Sequence, residues 1–92
     1  MFEQQIELGV QLLDDKYPGW LAEIDLETLD IAIGTKCIIG QLTGDYIHSP
    51  LIKHINPLEF GFTLSFEQLP RLNTVLTKEW KAKILSLRGG VE

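Results

Sequence analysis

"FEQQIELGVQLLDDKYPGW", Phe2 to Trp20, is the stretch on which the reading of the fold turns. Its apolar residues fall at Phe2, Ile6, Val10, Leu13 and Tyr17, offsets of four and three that draw one stripe along a helix. Leu12 widens the edge of that stripe, while Glu3, Glu7, Gln11 and Asp14 lie away from it. The spacing predicts an amphipathic helix over about 2–17. Pro18 disfavours helical geometry at Tyr17 and Gly19 can turn the chain, so "YPGW" ends it.

A second stripe closes the sequence. Leu72, Val75, Leu76, Trp80, Ile84 and Leu87 recur at threes and fours, with Arg71, Lys78, Lys81 and Arg88 on other faces. That pattern predicts a helix over about 70–88, opened by Pro70 and stopped before Gly89-Gly90. Ser65 and Gln68 have capping-box spacing just ahead of it, but Pro70 would intrude on a helix begun there, which favours a separate turn.

Between the two lie shorter pieces. Trp20, Leu21 and Ile24 fit one helical turn, and Asp25 fits the cap of another through Glu27 and Leu29. Thr35 reads as the N-cap of a short helix through Leu42, with Lys36 badly placed in its first turn and Gly44 as its stop. Asn56-Pro57 reads as a cap and first position of a turn ended by Gly61. The expected fold is all-α: one domain over 1–92, two long helices bracketing two or three short ones. "DIAI" (30–33) and "FGFTL" (60–64) also allow a short β element.

Composition bounds the class. Ninety-two residues with 45% hydrophobic and 23% charged side chains describe one folded globular unit. One cysteine cannot form an internal disulfide, which fits a reducing cytosol. "MFEQQIELGV" lacks the basic region and apolar run of a secretory signal, and no run reaches membrane-spanning length. A cytoplasmic protein is expected.

The net charge of −5 is uneven. Residues 1–45 hold nine acids against two bases, and residues 46–92 hold six bases against four acids. An acidic amino-terminal half repels nucleic-acid phosphate and suits a basic partner, although a solvated face explains it as well.

The candidate chemistry centres on "GTKCIIGQLTGDY", Gly34 to Tyr46. Its glycines and Lys36 stand in the wrong order for a phosphate-binding loop. Gly40 and Gly44, four apart on one face, would let another backbone come close. Cys37 would be a nucleophile if Lys36, a helix start and His48 or His54 lowered its pKa. Flanked by Ile38 and Ile39, it reads more simply as a small buried apolar residue. His48 and His54, with Asp45 nearby, are zinc-ligand types, but a spacing of six positions from one histidine to the other matches no strong motif. No metal or cofactor is expected. Asp14-Asp15 and the Asp25, Asp30 pair suit helix ends and turns better than acid–base work. Trp80 lies on a core stripe, whereas Trp20 follows Pro-Gly in a turn, where partial exposure and partner contact are expected.

Taken together, Gly9, Leu12, Leu13, Asp14, Pro18, Gly19, Trp20, then Ile24, Asp25, Leu29, Asp30, then Cys37, Gly40, Gln41 and Leu42 form the pattern GxxLLDxxxPGW, IDxxxLD, CxxGQL. With "EFGF" and the tryptophan of "LTKEWKAKI", the chain resembles a family of small proteins of actinobacterial and firmicute phages, prophages and mobile elements, over most of its length. Relatives of that look carry a second cysteine before the Cys37 position, where this chain has Gly34-Thr35-Lys36. The resemblance implies a phage setting and no activity.

The functional expectation is a non-enzymatic protein that binds a basic host or phage protein, in one form an inhibitor of a host nuclease or defence complex. Glu3, Glu7, Asp14, Asp15, Glu23, Asp25, Glu27 and Asp30 would imitate DNA phosphates there, with Trp20 as a contact. Direct nucleic-acid or membrane binding is not expected. The alternatives are a metal- or thiol-dependent enzyme using Cys37, His48 and His54, and a homo-oligomeric assembly protein.

Overall fold

The computed structural model describes residues 1–44, 46, 49–50, 53–65 and 67–89. Four helices form: α1 Glu3–Lys16, α2 Trp20–Glu23, α3 Ile38–Thr43 and α4 Leu69–Leu87. The two long ones lie within two residues of their expected bounds. Among the described residues there is no strand, and "DIAI" and "FGFTL" form turns and irregular chain. Neither meets a neighbour to pair with, so weak alternation alone does not make a β element.

α1 buries Phe2, Ile6, Val10 and Leu13, as its stripe predicts, and also Gly9. The last was not anticipated. A Cβ at Gly9 would overlap the Phe60 carbonyl oxygen and come within 3.0 Å of the Trp80 ring. α1 ends where the Tyr17 N–H donates to the Leu13 carbonyl, and Gly19 turns the chain at φ 90° into the single turn of α2.

Between α2 and α3 the chain runs in tight turns. The Asp25 carboxylate accepts the Glu27 N–H at 3.0 Å, closing a turn where a second short helix was expected. The Gln41 amide clips that segment to α3, accepting from Asp25 N–H and donating to the Asp25 and Lys36 carbonyls. The N-cap of α3 is Cys37 and not Thr35: its sulfur accepts the Gly40 N–H at 3.3 Å while Thr35 stands exposed in the preceding turn. Gly40 is needed for packing, since a Cβ there would run into the Gly34 carbonyl. Gly44 is not; nothing lies within 4 Å of its missing side chain, and it serves its φ of 97° at the helix stop.

Asn56 caps its turn as expected, with its side chain accepting the Leu58 N–H at 3.1 Å and Gly61 leaving it at φ 71°. Ser65 and Gln68 do use their capping-box spacing, exchanging side-chain and backbone bonds at 3.2–3.4 Å. That turn runs directly into α4, whose second residue is Pro70. α4 buries Leu76, Thr77, Trp80 and Ile84, whereas Leu87 is 42% exposed. The helix outlasts the core beneath it.

The middle of the molecule is aromatic. Trp80 lies parallel to Phe62 with centroids 6.0 Å apart, Phe62 lies parallel to Phe60 at 6.1 Å, and Trp20 meets Trp80 edge-on at 6.3 Å. The Trp80 indole N–H donates to the Gly61 carbonyl at 2.6 Å, so the buried polar atom is satisfied. Thr77, the one buried polar side chain of α4, accepts the Ile31 N–H at 3.1 Å and ties the turn before α3 to α4. Arg88 closes the structure from the other end. Its guanidinium donates to the Leu21 and Ile24 carbonyls, capping α2 across 67 and 64 residues.

Gly9→Ala separates packing from propensity. Alanine is the better helix former by about 1 kcal/mol, yet overlap with Phe60 and Trp80 should make the variant less stable by about 1–3 kcal/mol. Urea unfolding reads the difference, and an unchanged or raised midpoint would contradict the packing.

Candidate functional site

The acids named from sequence do not form one uniform face. In α1, Glu3, Glu7 and Asp14 share a side at helical spacing, with Asp14 about 16 Å along the axis from Glu3. At the amino end each charge has a partner. Glu3 lies 2.8 Å from the terminal ammonium, whose hydrogen bond holds its carboxyl below the ordinary value. Glu7 pairs with Lys83 of α4 at 2.9 Å. Glu79 accepts the Phe2 N–H and lies 3.4 Å from the same ammonium.

The carboxyl end of α1 differs. Asp14 accepts the Trp20 indole N–H at 2.9 Å, which brings α2 against the last turn of α1. Asp15 has only Lys16, at 3.7 Å between two largely exposed side chains, a pairing of little strength. Glu23, Asp25 and Glu27 are exposed and follow within the next few residues. Asp30 is half-buried; its carboxylate accepts from Ala32 N–H and from Asn73 Nδ2. Asp14 and Asp15 thus lie on the last turn of α1, Glu23 on α2 and Asp25 and Glu27 in the turn after it, whereas Glu3 and Glu7 stand at the amino end of α1 and Asp30 beside α4. The helix dipole disfavours anions at a carboxyl terminus, so Asp14 and Asp15 occupy positions that stability alone would not choose.

Trp20 is not partly exposed. It is 2% exposed and packed on Trp80, so the expectation of partial exposure is corrected. The Pro-Gly turn before it delivers the ring inward, and no local signal reveals that.

Cys37 is 1% exposed. Besides accepting from Gly40, its thiol faces the Gly34 carbonyl at 3.8 Å, so the sulfur acts as a capping atom in the place of a serine or threonine oxygen. His54 is exposed and lines a shallow hollow with Leu12, Lys16, Tyr17, Pro50 and Ile55. His48 and Asp45 lie outside the described residues. Among the described residues no group of three His, Cys, Asp or Glu side chains could hold a metal ion. Nor is any described helix long and apolar enough to cross a membrane.

The ionisation of the Tyr46 phenol is shifted. Burial pushes it above its ordinary value; its hydrogen bond with Thr63 acts against that, and the charge Cys37 would carry acts with it. Its backbone N–H donates to the Gly34 carbonyl at 2.8 Å, so one oxygen organises both Tyr46 and Cys37.

Compared with protein families, with curated proteins and with solved structures, the chain matches none.

Two measurements follow from the capped thiol and the raised phenol. Cys37 should resist alkylation in the folded protein and react at once in denaturant. Cys37→Ala should lose about 1 kcal/mol with the cap, and Cys37→Ser, which keeps an acceptor, should lose less. Because the folded state disfavours ionised Tyr46, the unfolded chain ionises first, near its ordinary pKa of about 10. Stability is therefore full below that pH and is lost as pH rises towards the folded value. Tyr46→Phe should flatten this alkaline loss in thermal melts, and an unchanged slope would refute it.

Proposed function

We propose that this chain is a small, non-enzymatic protein of phage or prophage type that docks on a basic protein surface. The docking surface is the acidic end formed by Asp14, Asp15, Glu23, Asp25 and Glu27. The observation that carries this reading is the placement of carboxylates at the carboxyl end of α1, where the helix dipole opposes them. Asp14 also holds the Trp20 indole, but Asp15 has no such bond, and a residue that costs stability without a packing role is a candidate for function. The burial of Cys37 as a cap speaks in the same direction, because it explains the cysteine without chemistry.

The concrete form is an inhibitor of a host nuclease or defence complex, working in the host cytoplasm. Exposed carboxylates spaced along a helix end and the following turn would stand in for phosphates in a groove built to bind DNA. The resemblance to phage and prophage proteins supports that setting. Glu3 and Glu7 contribute less on this reading, since each already has a cation beside it.

Capture from bacterial lysate tests the proposal. A basic partner should be held at about 50 mM salt, and released by about 500 mM salt, where screening is within roughly 4–5 Å. Duplex DNA should compete with it, and Asp15→Asn/Glu23→Gln/Glu27→Gln should fail to hold it. Retention that ignores salt, competitor and the triple variant would count against an electrostatic docking face.

A further inference from the structure

α4 carries its cations on two sides. Lys83 faces α1 and pairs with Glu7. At about 100° per residue, Arg71, Thr74, Lys78 and Lys81 fall within a sector of roughly 80° well round the helix from Lys83. Arg71, Thr74 and Lys78 are exposed and Lys81 is half-buried. Among the described residues, none of the three side-chain cations has a hydrogen bond or ion pair. Lys78 and Lys81 edge a hollow that Asp30, Asn73 and Thr77 also line, yet Asp30 is held by Asn73 and Ala32 and pairs with neither lysine. In a chain with thirteen acids and eight bases, three neighbouring cations left unpaired define a basic face.

Asp30 apart, the fold sets that face back from the acidic end of its own molecule. Arg88 pins α2, and with it the acidic end, to the carboxyl end of α4. From there Lys81 is about 10 Å and Arg71 about 25 Å back along the axis. Opposite charges offset in this way, with no ion pair between them, are complementary between molecules.

We infer that the basic face of α4 docks the acidic end of a second copy of this chain. The two surfaces differ, so the contact is heterologous, head to tail, and adds copies without closing a two-fold pair. It uses the same acidic end as the docking reading above, and so makes self-association a competitor of the basic partner. Few apolar side chains share the Arg71–Lys81 sector, which makes the contact weak and screened by salt.

Sedimentation velocity on the full chain tests this. At about 50 mM salt the wild type should associate with rising concentration, and its affinity should fall at least about tenfold by 300 mM. Lys78→Gln/Lys81→Gln keeps the acidic end and loses the basic face; Glu23→Gln/Glu27→Gln does the reverse. Each should sediment as a monomer alone, and an equal mixture should form a heterodimer. A wild type that stays monomeric at low salt, association that survives in either variant alone, or an inert mixture would overturn the inference. A monomer that instead binds a duplex oligonucleotide through Lys78 and Lys81 would also overturn it. A monomeric wild type that still captures a basic partner would remove the head-to-tail contact alone.

Discussion

One buried indole sets the terms for the rest of the molecule. Trp80 touches every layer: its nitrogen is held by the Gly61 carbonyl, one face lies on Phe62, Trp20 meets it edge-on, and α1 passes over it at Gly9. A side chain of that size can be buried only if its N–H finds an acceptor and the adjacent backbones come close enough to leave no void. Both needs are met by glycine, at positions 61 and 9. The turn at Gly61 and the helix at Gly9 are therefore parts of one arrangement, although 52 residues separate them.

The parts of the fold that were legible in the sequence are those decided locally. The two long stripes, the Pro18-Gly19 break, the Asn56 cap and the Gly44 stop rest on spacing and on backbone geometry within a few residues. What escaped depends on distant chain. Trp20 looked exposed because its turn carries no trace of Trp80. Gly9 looked ordinary because the Phe60 carbonyl that crowds it comes much later. Thr35 looked like a cap because hydroxyls usually fill that role, but the chain places a sulfur two residues on. Of the acids, exposure was legible and pairing was not, since Lys83 and Arg88 come from the far end of the sequence.

The distribution of charge ties these observations to function. Where α1 meets α4, acids and bases neutralise each other and hold two helices together. Where α1 meets α2, the cations beside the acids are Lys16, loosely placed against Asp15, and Arg88, whose donors are committed to backbone carbonyls. The same protein thus pairs carboxylates with cations at one end, while at the other Asp14 and Asp25 accept N–H bonds and Glu23 and Glu27 stand exposed. The central turns separate the two ends, fastened by Gln41 and Thr77 through bonds to the main chain.

The reach of Arg88 back to α2 also orders events during synthesis. A ribosome delivers the acids of α1 and α2 first, and the guanidinium that anchors their neighbouring turn follows 64–67 positions after the carbonyls it holds. Until it does, α2 is a single helical turn with its terminal carbonyls bare, too short to persist alone. The nascent chain therefore presents its negative charges on an unfastened segment, and the rigid pattern that a partner would read exists only once translation has passed position 88.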